Sequence, residues 1–403
     1  MTRPVGDNQT CVSVLTPTGR GAVAVVAVKG PDAVTVVNSC FLAKNGRTLD
    51  QQPLNRIVYG HWGSIDGEDL VVCRRKEDVI EVHCHGGTQS VLAVVDRLVD
   101  MGCHEIEWKV WVTRQQHCPL VAEAQIAMAG ATSIRTALIL LDQFHGALRR
   151  ETKEIHAAIQ TGESSDAAIR IERLLARVPC GLHLTEPWQV VIAGRPNVGK
   201  SSLINALVGY RRAIVFDQPG TTRDVVSTTT VIDGWPVQLS DTAGLHSTTD
   251  TLEAAGIEQA RSQLVRADMV IWVEDASTID FQSLPTRTEI LSQRAVELSL
   301  VLPSRQLLVL NKSDLAGHDV PPKLLATSTL TGQGIDQLLS AIVKQLVPEP
   351  PAPGAAVPFT TRQAGFLRAA ATACEQGDAA DALAPLNELL HPGLYSELDT
   401  KPI

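Results

Sequence analysis

The chain has 403 residues, of which 44 % are apolar, and carries a formal net charge of −9. This length predicts two or three domains with substantial cores, and the acidic balance argues against a broad basic surface for nucleic acid. The eight cysteines form no C-x-x-C pair, which favours a reducing cytoplasm over a disulfide framework. No apolar run reaches membrane-spanning length, so we expect a cytoplasmic protein without a membrane partner.

The first part of the chain predicts a mixed α/β domain. Pro31 suits the first position of a helix towards Phe41, and apolar residues recur at helical spacing over 88–99. Alternating or continuous apolar patterns predict strands over 11–15, 22–28, 57–62, 69–72, 79–83 and 105–113.

His83, Cys84 and His85 stand side by side and raise the question of a metal site. Consecutive residues of a strand point to alternating faces, so a tetrahedral site would need ligands from elsewhere. We therefore favour the simpler interpretation, in which a strand ends at a Gly-Gly turn and a helix follows.

Helical patterns fill the middle of the chain. They extend over 120–160 and 167–178, where Pro179 is expected to end the helix. Beyond a proline-rich linker, helices are predicted again over 361–375 and 378–390. Helices on both sides of an intact domain suggest one helical domain with that domain inserted, and two separate helical pieces are the alternative.

The central motif is a phosphate-binding loop. Gly194 to Ser201 fits G-x-x-x-x-G-K-[ST] between an apolar strand and a helix start. Lys200 would reach the β- and γ-phosphates, and Ser201 would ligate Mg²⁺. The residues expected to bind nucleotide here are Asn197, Val198, Gly199, Lys200, Ser201 and Ser202.

Later motifs complete a GTP site. A carboxylate after an alternating strand suits Mg²⁺ binding through water, followed by a glycine N–H near the γ-phosphate. An acid after the next apolar strand accepts two hydrogen bonds from guanine that adenine cannot give, which favours GTP over ATP. A polar loop would then close over the base. The residues assigned to these roles are Asp241, Thr242, Ala243 and Gly244, then Asn311, Lys312 and Asp314, then Ser328 and Thr329.

At this point the chain resembles the bacterial tRNA-modification GTPase family, called MnmE or TrmE. The motifs that carry the resemblance are GRPNVGKSSLINAL, AIVFDQPGTTRD, DTAGL, TPTGRGAVAV and EDVIEVHCHGG. The resemblance implies a folate-binding-like N-terminal domain, a discontinuous helical domain and an inserted Ras-like P-loop G domain. It also implies a homodimer that works with an FAD-dependent partner protein on the wobble uridine of tRNA.

The resemblance also assigns metal sites. A potassium ion would be held by Asn197 and by the loop that contains Phe216, Gln218 and Thr221, in the place where other GTPases receive an arginine finger. Thr222 matches the switch threonine that joins Mg²⁺ to the γ-phosphate.

Catalysis is assigned in the same way to Lys200, Thr222 and Glu253. Leu245 stands where Ras-type enzymes have the glutamine that orients water, and Glu253 falls at the water-positioning glutamate of the family. An acid in a first helical turn can also merely stabilise the helix dipole.

Three departures fall on parts that serve tRNA modification. The last residues contain no cysteine, although the family has a functional one near its C-terminus. Ala27 replaces a strand arginine, which removes a bidentate grip on a folate carboxylate and argues against folate as a cofactor. The segment before the helices is contracted.

The predicted fold is therefore multidomain α/β plus α, with an N-terminal domain at 1–118, helices at 119–187, a G domain at 188–346 and linker plus helices at 347–403. Two functions remain open. One is a Mg²⁺-dependent, potassium-activated GTPase of tRNA modification, and the other is a regulatory GTPase that has lost the modification chemistry. An inactive scaffold would have to lose hydrolysis despite an intact motif set.

Overall fold

The computed structural model describes residues 9–17, 19, 21–210, 214–215, 227–241, 262–279, 303–317, 320–321 and 323–391. The chain forms two compact units, Met1–Gln116 and His117–Ile403.

The first unit is a sheet covered by helices on both faces. Its sheet has the order β3-β4-β5-β6-β2-β1-β7 and is antiparallel except where β7 pairs with β1. The elements are β1 Cys11–Val14, β2 Val23–Lys29, α1 Ala33–Cys40, β3 Phe41–Ala43, β4 Ile57–Trp62, β5 Glu68–Lys76, β6 Val79–His85, α2 Thr88–Asp100, β7 His104–Glu105 and α3 Trp108–Gln115.

The two faces of this sheet carry different cores. On one face, α1 and α2 pack over alternate residues of the central strands, such as Val26 and Val82. On the other, Ala27, Val79 and Trp111 form a smaller buried cluster. We call this second face, defined by these three residues, the outer face.

The prediction of a strand over 105–113 is wrong. Its first residue belongs to β7, and a helix, α3, follows. Trp108, Trp111 and Val112 have i, i+3, i+4 spacing, and the last two are buried. A short apolar pattern of this kind fits one face of a helix as well as a strand, and tertiary burial of Trp111 decides between them.

The second unit begins with four helices and ends with two. They are α4 Pro119–Ala129, α5 Ile134–Phe144, α6 Ala147–Gln160 and α7 Ser164–Leu182, with two C-terminal helices, Thr361–Gln376 and Ala379–Leu390. The expected stop at Pro179 is wrong, because α7 continues through it to Leu182. Proline in a helix interior costs about 3 kcal/mol, and the last turn is held by buried Val178, Cys180 and Gly181.

Hydrogen bonds join the helices on the two sides of the G domain. Glu123 of α4 accepts from Arg362 Nε and from Gln363 Nε2, both at 2.6 Å. Gln143 of α5 donates to Ala355 O at 3.0 Å and accepts from Val357 N at 3.1 Å. The segment after the proline-rich stretch is therefore bonded to α5.

Between these helices lies a second sheet of seven strands, with the order β14-β13-β12-β8-β11-β10-β9. Strands β8, β11, β12, β13 and β14 pair in parallel, and β10 and β9 continue the sheet antiparallel. The elements are β8 Trp188–Gly194, α8 Lys200–Val208, β9 Ile214–Val215, β10 Ser227–Ile232, β11 Trp235–Asp241, β12 Met269–Asp275, β13 Gln306–Asn311, β14 Leu325–Ala326 and α9 Ile335–Leu346; the C-terminal helices are then α10 and α11.

The hairpin between β10 and β11 turns through Asp233 and Gly234, whose φ angles are 47° and 82°. Two consecutive positive φ values are typical of a type I′ turn, which an Asp-Gly pair favours. Ser133 Oγ donates to Gly234 O at 2.6 Å, and a Cβ on Gly234 would lie 2.8 Å from Arg135 Cβ. The hairpin tip thus packs closely on the start of α5.

Candidate functional site

The candidate site lies at the carboxyl ends of the parallel strands of the second sheet, where ligands bind in open α/β folds. The loop after β8 and residues after β13 border a cavity of about 540 Å³. Its lining residues are Gly194, Pro196, Asn197, Gly199, Lys200, Ser201, Ser202 and Lys312. The structure therefore brings the phosphate-binding loop and the predicted base-binding motif to one cavity.

The loop enters α8 through two residues with left-handed backbone. Asn197 has φ 64° and Gly199 has φ 93°. A Cβ on Gly199 would lie 2.4 Å from Asn311 Nδ2, so only glycine fits there. Val198 is buried between them, while Asn197 is exposed at the cavity. The turn leads into the N-terminus of α8, whose free N–H groups suit a phosphate.

Lys200 is the first residue of α8 and is 5 % exposed. Its Nζ donates to the carbonyl oxygens of Gly194 at 3.1 Å and Arg195 at 3.0 Å. Burial lowers the pKa of Lys200, while the nearby Asp241 opposes that shift. A desolvated ammonium held inside the loop is well placed to meet an anion that enters the cavity.

Ser201 and Asp241 meet at the same edge. Ser201 Oγ donates to Asp241 Oδ2 at 2.6 Å, and Asp241 at the end of β11 is 3 % exposed. A hydroxyl and a buried carboxylate at this distance form an oxygen donor pair of the kind that Mg²⁺ takes in P-loop proteins.

Asn311 is fully buried and connects the two halves of the site. Its Nδ2 donates to Val198 O at 2.9 Å, and its Oδ1 accepts from Thr327 Oγ1 at 3.2 Å. The side chain of Asn311, a predicted nucleotide ligand, is thus hydrogen-bonded to the phosphate-binding loop and to Thr327, which directly precedes Ser328 of the closing loop. The sequence reasoning missed Thr327, whose position directly after an apolar run gave only a weak signal.

Around the base-binding motif, Lys312 Nζ pairs with Asp275 Oδ2 at 2.7 Å. Asp275 ends β12. Burial alone would raise the pKa of Asp275, but hydrogen bonds from Lys312 and Ser277 outweigh burial and hold that pKa below its ordinary value. Asp314 is exposed, as a guanine-binding carboxylate must be. The sequence reasoning missed Asp275, although it ends a buried apolar strand at the sheet edge that holds the other motifs.

The closing loop is partly ordered by its own hydrogen bonds. Ser328 is buried, and its Oγ accepts from Thr331 N at 3.2 Å, while Thr329 is half-buried. Other assigned residues lie outside the described part of the chain: Thr242, Ala243, Gly244, Phe216, Gln218, Thr221, Thr222, Leu245 and Glu253.

The His83–His85 stretch follows the expected alternation in β6. Cys84 is buried, His85 is exposed, and His83 is half-buried with Nε2 3.4 Å from Glu81. The described residues contain no group of three or more His, Cys, Asp or Glu side chains able to hold a metal ion. None of the helices seen in the described ranges combines the length and apolar character needed to cross a membrane.

A mostly parallel sheet, a phosphate-binding loop with a buried lysine, and an Asn-Lys-x-Asp motif at the same cavity define a P-loop GTPase, an enzyme that binds and hydrolyses GTP. Family comparison agrees, because residues 189–312 match the model described as 50S ribosome-binding GTPase. Residues 10–107 match the model of the GTP-binding protein TrmE N-terminus.

The chain belongs to the MnmE, or TrmE, family of tRNA modification GTPases. It is 32 % identical over 377 residues to the tRNA modification GTPase MnmE of Geobacillus thermodenitrificans, which covers 83 % of this chain and 81 % of that protein. It is 30 % identical over 420 residues to the MnmE of Synechococcus sp. (strain JA-3-3Ab), covering 93 % and 89 %.

Solved structures are similar to part of the chain. The G domain of the FeoB iron transporter of T. maritima is 27 % identical, with 40 % of this chain and 99 % of that one covered and a TM-score of 0.28. Aquifex aeolicus Era bound to GDP·AlF4⁻ is also 27 % identical, with coverages of 46 % and 65 % and a TM-score of 0.28.

Proposed function

We propose that this chain is a Mg²⁺-dependent, potassium-activated GTPase that acts in the cytoplasm on the modification of the tRNA wobble uridine. Hydrolysis would be stimulated when two G domains pair. The observation that carries the proposal is the 2.6 Å contact between Ser201 Oγ and Asp241 Oδ2 beside the buried Lys200. These three groups are the ones that bind Mg²⁺ and phosphate in P-loop GTPases.

The residues at this edge fit a magnesium ion, which when bound supplies charge neutralisation between the β- and γ-phosphates. Ser201 would hold it directly and Asp241 through water, with Thr222 as the switch ligand. Lys200 and the N–H groups at the start of α8 would hold the phosphates, and Glu253 would orient the attacking water.

Asn197 supports potassium activation. It is exposed beside the cavity and lies in the left-handed region at φ 64°, so its side-chain oxygen is free of the core and able to face a cation. Phe216, Gln218 and Thr221 would complete that potassium site. A monovalent cation there would replace an arginine finger in stabilising transition-state charge.

We also propose a discontinuous helical domain, with the G domain inserted, because Glu123 of α4 accepts hydrogen bonds from Arg362 and Gln363 of α10.

The name of the relatives, tRNA modification GTPase, supports tRNA as the substrate. A homodimer formed through folate-binding-like N-terminal domains and an FAD-dependent partner protein are part of the same proposal.

A specific observation favours the second candidate, a regulatory GTPase without the modification chemistry. Ala27 is 1 % exposed and forms one buried cluster with Val79 and Trp111. A reduced folate carries carboxylates that require a cationic or donor group, and this part of the outer face offers apolar groups instead. Ala27 itself therefore offers no group that could bind a folate carboxylate. A cavity of about 340 Å³ beside Trp111 is lined by Lys29 and Arg114, but no step of the proposal uses folate.

The test is GTP hydrolysis in potassium and in sodium buffers of equal ionic strength. The purified chain is compared with Asn197→Ala and with Arg195→Ala, which alters an exposed neighbour in the same loop. We expect potassium to stimulate the parent and Arg195→Ala strongly and Asn197→Ala little. Equal rates in the two salts would remove the potassium site from the proposal.

The substrate is tested separately by expressing the chain in a bacterium whose own family member has been deleted and analysing the wobble uridine of its tRNA by mass spectrometry. Restored modification supports the first candidate. Unmodified tRNA together with intact GTP hydrolysis supports the regulatory GTPase.

A further inference from the structure

The helical part of the second unit contains a cleft with an unusual concentration of arginine. The cleft has a volume of about 240 Å³ and lies between α6, α7 and the segment 354–356. Its charged lining consists of Arg150, Glu151 and Glu154 from α6 and Arg170, Arg173 and Arg177 from α7. We call it the arginine cleft. In a chain with a net charge of −9, four arginines at one cleft call for an explanation.

One of the four is used internally. Arg170 donates to Asp166 at 2.8 Å, to Glu151 at 3.0 Å and to Glu154 at 2.8 Å. The hydrogen bonds that Arg170 donates to these carboxylates, with the one to Asp166 contributing most, raise the pKa of Arg170. The single positive charge of Arg170 is therefore shared by three carboxylates, and two negative charges remain in excess in this cluster.

The remaining three arginines have no carboxylate partner within the described part of the chain. Arg150 Nη1 donates to His145 O at 2.8 Å, and Arg177 Nη1 donates to Ala356 O at 2.9 Å. Both acceptors are neutral carbonyls, which fix the position of a guanidinium without cancelling its charge. Arg173 is exposed between Arg170 and Arg177 on the same face of α7.

This arrangement suits phosphate. A guanidinium offers planar, paired donors to phosphate oxygens, and a group already held by a carbonyl loses less freedom when it binds. Arg173 and Arg177 are four residues apart on α7, a rise of about 6 Å, and Arg150 lies on the neighbouring α6. The three guanidinium groups can therefore reach more than one phosphate of an extended backbone.

We propose that the arginine cleft binds phosphate groups and, on the basis of the proposed function, that these belong to the backbone of tRNA. The contact gives an acidic protein one local, sequence-independent grip on RNA. Such contacts position a nucleic acid and make its binding salt-dependent, whereas base contacts provide specificity.

The test measures binding of a fluorescently labelled tRNA transcript to the 403-residue chain by anisotropy over a range of salt concentrations. The variant is Arg150→Gln combined with Arg173→Gln, which leaves Arg170 and Arg177 in their observed contacts. The control is Lys344→Gln combined with Arg368→Gln, because both residues are exposed outside the cleft and the change in net charge is the same.

We expect the cleft variant to bind tRNA about tenfold more weakly at low salt, and the slope of log K against log salt to fall by about 1 to 2. The control should bind as the parent does, and GTP hydrolysis without tRNA should be equal in all three proteins. Equal tRNA binding by the parent and the cleft variant would overturn the cleft as an RNA contact.

If the parent itself binds no tRNA, the proposed action on tRNA is wrong. Calorimetry then tests separately whether the arginine cleft binds phosphate groups. Inorganic pyrophosphate is titrated into the GDP-saturated parent and the cleft variant. Binding that the variant loses would support a site for a free phosphorylated ligand. No binding to the parent would overturn the site altogether.

Discussion

The nucleotide edge of the G domain and the outer face of the N-terminal sheet use buried positions in opposite ways. At the nucleotide edge, Lys200, Asp241 and Asn311 are at most 5 % exposed, and each is hydrogen-bonded. On the outer face, Ala27 is 1 % exposed and Trp111 is 6 % exposed, and both are apolar. Burial of polar groups is unfavourable unless they are paired, so the first region is organised for ligand chemistry and the second for packing.

The difference lies in the residue types at the buried positions. The GTPase motifs have polar and charged residues that suit phosphate and guanine, whereas the outer face has the apolar Ala27, Val79 and Trp111. The comparison makes a double prediction. Changes on the outer face should affect stability and leave hydrolysis alone, and changes at the nucleotide edge should do the reverse.

The largest expected effect follows from Trp111→Ala. Truncating a buried tryptophan costs about 3–5 kcal/mol, and Trp111 is 6 % exposed over Ala27 and Val79. We expect urea unfolding of the first unit to shift to much lower concentration, while GTP hydrolysis stays within about twofold.

Trp108→Ala is the matched control, because Trp108 lies on the same helix and is only half-buried. Its effect on unfolding should be clearly smaller. Tight binding of 5-formyltetrahydrofolate by the parent, measured by calorimetry, would show that the outer face is a ligand site and would end the contrast.

Lys200→Ala tests the other side of the comparison. Among the described residues, the desolvated lysine donates hydrogen bonds to two loop carbonyls, so its removal should change the free energy of unfolding little. Loss of a preorganised donor to transition-state charge lowers kcat by about 10²–10³-fold. Arg195→Ala removes a neighbouring exposed cation and should keep near-parental phosphate release. A Lys200 variant with parental hydrolysis would contradict the assigned role.

Asn311→Ala is the exception at the nucleotide edge, because it should lower stability as well as weaken nucleotide binding. The substitution leaves Val198 O and Thr327 Oγ1 without their partner, and a buried polar group left unpaired costs about 1–3 kcal/mol. We expect a lower melting temperature and faster release of a fluorescent GDP analogue, measured by stopped flow.

Thr327→Val removes only the hydrogen bond to Asn311 Oδ1 and keeps the shape of the side chain. It should destabilise the chain by about 1 kcal/mol and leave GDP release nearly unchanged. If the two variants released GDP equally fast, the contact of Asn311 with the phosphate-binding loop would not be the cause.

Much of this site could be predicted from sequence because phosphate binding depends on local spacing. Gly199, Lys200 and Ser201 are consecutive, so the loop and the helix start follow from one motif. Asp275 and Thr327 escaped prediction because their roles depend on neighbours in space: Lys312 is 37 residues from Asp275 and Asn311 is 16 from Thr327.

For the fold as well, features set by local sequence were predicted and features set by contacts in space were not. Long apolar patterns predicted most strands and helices, since they report burial directly. The errors were local patterns overruled by packing, where Trp111 is buried by a helix and α7 continues past Pro179. The arginine cleft could not be foreseen either, because Arg150 and Arg173 meet only when α6 and α7 pack together.

The smallest expected effect concerns Asp268, which lies at the amino-terminal end of the parallel strands of the G domain, opposite the nucleotide edge. Asp268 Oδ2 accepts from Gln189 N at 2.7 Å, and Oδ1 lies 3.4 Å from Nε2 of His183, which stacks on Trp188. Burial alone would raise the pKa of Asp268, but these hydrogen bonds and the charges of His183 and Arg305 hold it below its ordinary value of 3.8. A depressed carboxyl pKa stabilises the fold above that ordinary value, and the contribution is lost as pH falls through the folded-state pKa.

Asp268→Asn should therefore reduce the free energy of unfolding by about 1 kcal/mol at neutral pH, since the amide oxygen can still accept from Gln189 and the lost pairing is partly solvent-screened. Below about pH 4 the parent should lose stability towards the variant, as followed by urea titrations at several pH values. The exposed carboxylate Glu349, changed to Gln, serves as the control.

Hydrolysis by Asp268→Asn should be unaffected, because Asp268 lies at the end of the parallel strands that is opposite the nucleotide site. Reduced hydrolysis by Asp268→Asn at neutral pH would mean that the two ends of the parallel strands are energetically coupled. Regions for packing and regions for ligand binding would then not be separable within the G domain.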